Sequence, residues 1–177
     1  RVLFRSYALS PETNTCAVSN RINGKYQLPL AEWSPDSNKL ITHKLDQRHV
    51  KDLYLLQNVP EDGCRPILHK YKMSFSGDEI LPLAELQLID IQNKKIIPVK
   101  TDPLLSPYLT PIEFGWVWWS DDSQKVYFLR ETRGSKEITL SSIDSNSGNV
   151  EELICEKAFL TYVEPSPFAP WKRQVII

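Results

Sequence analysis

The sequence predicts an all-β protein, a partial β-propeller of four-stranded antiparallel blades amounting to about three to four blades' worth of a larger ring of about eight. Three observations carry this expectation. A strand–turn–strand unit recurs along the chain, and runs of alternating apolar and polar residues follow its strong copies. The 13 Pro, 5 Trp and 7 Tyr suit a turn-rich fold whose sheets pack through aromatic rings.

The recurring unit is Ala31-Glu32-Trp33-Ser34-Pro35-Asp36-Ser37-Asn38-Lys39-Leu40-Ile41. It returns as Val117-Trp118-Trp119-Ser120-Asp121-Asp122-Ser123-Gln124-Lys125-Val126-Tyr127, with a weaker copy at Tyr7-Ala8-Leu9-Ser10-Pro11-Glu12-Thr13-Asn14-Thr15-Cys16-Ala17. Each reads as an apolar strand, a turn and a second apolar strand. Proline presets the first φ of such a turn, and Asp and Ser bond back to nearby backbone. After the first strong copy come the strands Ala84–Ile91 and Lys95–Val99, joined by the turn Gln92-Asn93-Lys94. After the second come Glu137–Asp144 and Val150–Ile154, joined by Ser145-Asn146-Ser147-Gly148. Leu86 and Leu88 alternate with polar residues, the period-2 signature of a half-buried strand.

The repeat spacing is irregular. Ser10 to Ser34 is 24 positions and Ser34 to Ser120 is 86, whereas a blade takes about 40–50. The boundaries expected are therefore a weak blade at 1–27, a blade with a long insertion at 28–110, a blade at 111–158 and the start of another at 159–177. The insertion spans Asp46–Pro82 and holds two strand-like runs, Asp52–Leu56 and Ile67–Met73. Val50–Asn58 lacks a capping box and sits among β-branched and aromatic residues, so it reads poorly as a helix. An irregular β-sandwich is the alternative architecture. In the run Phe114-Gly115-Trp116-Val117-Trp118-Trp119, alternation puts Trp116 and Trp118 on one face and Trp119 on the other, packing between blades. The chain starts at Arg1, its one Met is Met73 and it ends in the strand-like Arg173–Ile177. It is expected to be a piece of a longer chain, with open sheet edges that favour association.

Composition excludes several function classes. The chain has 177 residues, with 21 Lys+Arg against 22 Asp+Glu, so no net field recruits nucleic acid or an anionic membrane. No apolar run approaches the ~18 residues of a membrane helix. Cys16, Cys64 and Cys155 are odd in number and give no disulfide framework, and this usage suits a cytoplasmic or a secreted protein. The glycines stand at 24, 63, 77, 115, 134 and 148, a spacing that forbids a Gly-x-Ser-x-Gly nucleophile elbow, a P-loop or a dinucleotide fingerprint. No Cys-x-x-Cys or His-x-x-x-His is present, so no metal or cofactor is expected. His43, His49 and His69 read as exposed strand or loop residues, and Cys64 as an exposed thiol without an activating base. Asp121-Asp122, Glu61-Asp62, Asp78-Glu79 and Glu151-Glu152 read as turn or edge charges.

The ordered set of motifs resembles the N-terminal β-propeller of dipeptidyl peptidase IV-like serine peptidases in the prolyl oligopeptidase clan. It comprises Ala31–Asp36, the segment Pro66–Leu86 with Asp78-Glu79-Ile80-Leu81-Pro82, and Gly115–Ser123, followed by Arg133, Asp144 with Gly148, and Thr161-Tyr162-Val163-Glu164. These pieces cover roughly residues 28–168. The resemblance implies a non-catalytic propeller that gates and orients peptides for a following α/β-hydrolase domain. The whole enzyme would remove dipeptides from peptide N-termini, with Pro or Ala preferred at the second position. It also implies a homodimer through the insertion at 46–72 and a pocket-lining loop carrying Glu164 and Phe168. A pair of adjacent Glu residues clamps the substrate amine in that family, and no such pair stands between Ser10 and Ser34 here. Either the region around Asn20–Gln27 is shortened, or exopeptidase specificity does not carry over. A stand-alone propeller-like interaction scaffold is the alternative, and a prolyl endopeptidase or acyl-peptide hydrolase relative is a third reading.

Overall fold

The computed structural model describes residues 30–61, 63–106 and 109–162. The expected weak blade at 1–27 and the residues Glu164 and Phe168 lie outside the described residues. The elements are β1 (Ala31–Trp33), β2 (Lys39–Asp46), β3 (Asp52–Gln57), β4 (Ile67–Lys72), β5 (Leu83–Asp90), β6 (Lys95–Pro98), β7 (Leu104–Leu105), β8 (Val117–Trp119), β9 (Lys125–Glu131), β10 (Glu137–Asp144) and β11 (Val150–Lys157). Among the described residues there is no helix, and the disfavoured helical segment at 50–58 contains β3 instead.

Two meandering antiparallel sheets form, ordered β1-β2-β5-β6 and β8-β9-β10-β11, with β3-β4 as a separate hairpin between β2 and β5. This is the four-stranded blade pattern of a partial β-propeller. The short β7 adds a fifth strand to the first sheet through Leu83↔Leu105 and Ala84↔Leu104. Its two residues were beyond reach of periodicity, which needs four or more positions to register.

The repeated turns are built alike. In the first, Ser34 Oγ donates to Asp36 Oδ1 at 2.6 Å, and Lys39 N–H donates to Ser34 Oγ at 2.9 Å. In the second, Ser120 Oγ donates to Asp122 Oδ1 at 2.6 Å, and Lys125 N–H donates to Ser120 Oγ at 2.9 Å. Ser37 and Ser123 occupy the left-handed region at φ 60° and 61°. The serine hydroxyl, then the Asn38 backbone N–H, hold the Asp36 carboxyl down from its ordinary 3.8 to about 2. Ser120 and the Gln124 N–H lower Asp122 in the same way.

Because the Asp36 carboxylate is depressed in the fold, its contribution is complete above about pH 4 and is lost as pH falls from there toward 2. Asp36→Asn should therefore weaken the protein at pH 7 and flatten its loss of stability over that window. Urea midpoints at several pH values check this, and unchanged slopes would refute it.

The main core lies between the two sheets. Register places Ile41, Leu88 and Ile97 on the face of the first sheet that meets Trp119, Val126 and Ile143 of the second. Trp119 Nε1 donates across the seam to the Glu32 carbonyl at 3.0 Å. Asp36 N–H donates to Ser123 Oγ at 3.1 Å, and Lys39 Nζ reaches Ser145 Oγ and Asn146 Oδ1 at 3.0 and 2.7 Å. On the opposite face of the second sheet, Trp116, Leu129 and Leu140 form a smaller cluster against which Phe114 and Trp118 pack. Trp116 and Trp118 thus share a face and Trp119 takes the other, as alternation predicts.

Candidate functional site

Glu164 and Phe168, the expected pocket-lining residues, lie outside the described residues. The described feature that bears on function is the insertion, which folds as the hairpin β3-β4. Its strands pair from Asp52↔Lys72 to Gln57↔Ile67, as their content of Leu, Tyr and Ile favours. A lone two-stranded hairpin is marginal in water, so its base needs fastening.

Polar contacts supply the fastening. Asp52 sits between Lys70 and Lys72, with oxygen–nitrogen distances of 3.0 Å to each. Lys72 hydrogen bonding, then Lys70, keeps the Asp52 carboxyl below its usual range, and Asp52 in turn raises Lys70. Lys72 Nζ also donates to the Val50 carbonyl at 2.7 Å. The returning loop is tied by Asp78, which accepts from Lys51 Nζ at 2.7 Å and from Phe75 N–H at 2.8 Å. Arg133, in the β9–β10 turn of the second sheet, donates to the Asp78 carbonyl. Val50 and Tyr71 are buried at this base.

The rest of the hairpin is open and apolar. Tyr54, Leu55, Leu56, Val59, Ile67 and Leu68 are all exposed. Leu56 and Leu68 are direct cross-strand partners and share a face, whereas Leu55 lies on the other with His69. Six large apolar side chains on so small an element exceed the scattered exposure ordinary on a monomer's surface. Chemically these side chains offer aliphatic and aromatic contact.

The histidines divide. His49 is exposed, and His69 Nε2 lies 2.9 Å from Gln57 Oε1 on the hairpin. His43, expected to be exposed, is only 3% exposed. It lies on β2, which is flanked by β1 and β5, opposite Leu86 on the face that meets the second sheet. Its lysine neighbour in sequence suggested a surface position, but a central strand buries alternate residues whatever lies between them. Cys64 and Cys155 are exposed and form no disulfide among the described residues.

The family model described as the dipeptidyl peptidase IV (DPP IV) N-terminal region matches residues 29–174. No curated protein sequence matches the chain. Among solved structures, one described as a dipeptidyl aminopeptidase IV from Bacteroides ovatus superposes with a TM-score of 0.60 at 18% identity, over 76% of this chain and 18% of that one. Porphyromonas gingivalis dipeptidyl peptidase 4 superposes with a TM-score of 0.58 at 15% identity, over 75% of this chain and 18% of the other. The chain thus spans under a fifth of the length of these structures, and the likeness shows a shared fold.

Proposed function

The chain belongs to the dipeptidyl peptidase IV N-terminal region family, and from that premise we propose that it is the non-catalytic propeller portion of a DPP IV-like serine exopeptidase. In this reading the blades restrict access to a hydrolase domain elsewhere in the parent protein and orient peptides there for removal of N-terminal dipeptides. The family match across residues 29–174 is the observation that carries it. The paired four-stranded sheets and their likeness to two bacterial structures of that fold support it.

The test is to read the parent open reading frame beyond Ile177 for Gly-x-Ser-x-Gly with a later Asp and His, and to assay its product on Xaa-Pro chromogenic peptides. Turnover of free but not blocked N-termini is expected. Equal turnover of blocked peptides would point to an endopeptidase relative. A frame with no nucleophile elbow would point to the scaffold reading.

The loop with Glu164 and Phe168 is assigned to the substrate pocket of that enzyme on the resemblance alone. Replacing each by alanine in the parent protein should raise peptide KM about tenfold with little change in kcat, as loss of a binding contact does. An unaltered KM removes them from the pocket.

We assign the hairpin to self-association, with a second copy of the parent protein covering its apolar tip. The base contacts through Asp52 and Asp78 hold the strands apart from the sheets, which leaves Leu56 and Leu68 free to pack across a symmetric contact. Leu56→Asp with Leu68→Asp buries two charges in that contact and should weaken association about a hundredfold. Sedimentation equilibrium checks this, and an unchanged dimer would place the interface elsewhere.

A further inference from the structure

The hairpin β3-β4 has two edges, and its backbone hydrogen bonds fix which residues each edge presents. Residues directly opposite in an antiparallel pair alternate between those that exchange both backbone bonds and those that exchange none. The Met73 N–H donates to the Lys51 carbonyl at 3.2 Å, so these two form a bonded pair at the base of the ladder. Counting along the register from there, Leu53 with Tyr71, Leu55 with His69 and Gln57 with Ile67 are bonded pairs as well. The pairs between them are Asp52 with Lys72, Tyr54 with Lys70 and Leu56 with Leu68, and these turn their N–H and C=O groups outward. The β3 edge thus presents the backbone of Asp52, Tyr54 and Leu56, and the β4 edge that of Leu68, Lys70 and Lys72. Among the described residues no further strand pairs with either edge.

The two edges differ in chemistry. Lysine and proline are the residues that keep a strand edge from pairing with another chain. The β4 edge has both, with lysine at two of its three outward positions and Pro66 just before its first residue. Pairing β4 with a copy of itself about its centre also sets His69 against His69 or Lys70 against Lys70. The β3 edge carries neither lysine nor proline. Its Tyr54 and Leu56 are each more than half exposed. Its one charge, Asp52, is already held by Lys70 and Lys72.

We propose that two copies of the chain join edge to edge through β3, making their hairpins one four-stranded antiparallel sheet of order β4-β3-β3-β4. This rests on the assignment of the hairpin to self-association and adds the mode of contact. The two-fold axis stands normal to the sheet and preserves its faces, so a residue meets itself or one an even number of positions away. Centring the axis on Leu55 sets Leu55 opposite Leu55, Tyr54 opposite Leu56 and Leu53 opposite Gln57 of the second copy. Asp52 then falls beyond the paired span. Centring it on Tyr54 sets the Asp52 carboxylate opposite Leu56, so charge selects the first register. In that register the outward N–H and C=O groups of Tyr54 bond those of Leu56 in the second copy, and the reverse, which satisfies both edges. On one face Leu68 and Leu56 of one copy continue into Tyr54 of the other. A two-stranded hairpin is marginal in water, whereas four strands with an apolar face are not, so association completes the fold of the insertion.

The test combines sedimentation equilibrium of the full 177-residue chain with residue-resolved amide exchange, at concentrations above and below its dimer dissociation constant. The Tyr54 and Leu56 amides should exchange at least about tenfold more slowly in the dimer, with those of Leu68 and Lys70 unchanged. A crosslink gives a second readout in the chain with Cys16, Cys64 and Cys155 replaced by serine. Opposed residues of a non-bonded pair have Cα atoms about 4.5 Å apart, within disulfide reach. L55C should therefore form a disulfide-linked dimer under mild oxidation, and H69C should not. A dimer whose Tyr54 and Leu56 amides exchange as fast as the monomer's overturns the shared sheet and leaves self-association standing. Slowing at Leu68 and Lys70, with crosslinking through H69C, overturns it in favour of the β4 edge. The chain holds the whole of the proposed contact, so absence of a dimer overturns both the sheet and the self-association.

Discussion

Replacing Phe128 by alanine is expected to lower the unfolding free energy by about 3–5 kcal/mol, the usual range for a fully buried phenylalanine. Phe128 is completely buried on β9, paired with Val117 on one side and Ser141 on the other, and it lies in the core between the two sheets. Its ring is bounded by strands on both flanks and by the facing sheet, so neither backbone can move in to fill the void. A domain of this size has only about 5–15 kcal/mol of stability in total, so the variant should unfold near physiological temperature. Phe128→Leu keeps most of the volume and should cost under about half as much. Urea denaturation of the three proteins measures this. A loss below about 1 kcal/mol for Phe128→Ala would mean that the sheets do not share a packed core.

The second large effect is expected at Gly148. It ends the β10–β11 turn at φ 70°, and its carbonyl accepts from the Lys100 N–H at 2.9 Å. A Cβ there would overlap the Pro98 carbonyl oxygen and lie 3.1 Å from the Pro98 carbonyl carbon and 3.3 Å from Ile97 Cγ2. The obstacle is backbone of the neighbouring sheet and cannot rotate away as a side chain would. Left-handed strain of about 1–2 kcal/mol and displacement of the packed strand of about 1–3 kcal/mol together predict a loss of about 2–5 kcal/mol. Gly134 is the control, since it has φ 82° but no neighbouring atom within 4 Å of the place a Cβ would take. Gly134→Ala should show the strain alone, about 1–2 kcal/mol. Equal thermal shifts for the two variants would show that Gly148 does not mediate the approach of the sheets.

Much of this fold was legible because its signals are short-range. The alternation around Leu86 and Leu88 became β5, and Glu137–Asp144 became β10 with the boundaries expected. The Ser-Pro-Asp-Ser and Ser-Asp-Asp-Ser turns formed the same hydrogen bonds, because Ser, Asp and a left-handed fourth residue close such a turn without help from afar. The insertion was legible as two strands, from Asp52–Leu56 and Ile67–Met73. Its exposure was not, because an apolar strand reads alike whether its cover lies in the same sheet or in another molecule. Glu164 and Phe168, proposed for the pocket on resemblance, lie outside the described residues. The burial of His43 depended on β1 and β5 flanking β2, which no local pattern announces.

The sequence by itself determined the strands, the turns, the repeat and the absence of a nucleophile elbow within the chain, since each is written in residues a few positions apart. Only the tertiary structure decided that Trp119 is sealed against Glu32 while Trp33, at the same place in its own unit, is open. The two tryptophans have the same local code, Trp-Ser followed by an acidic turn. What differs is the neighbour each meets across the seam, and burial is a property of that meeting.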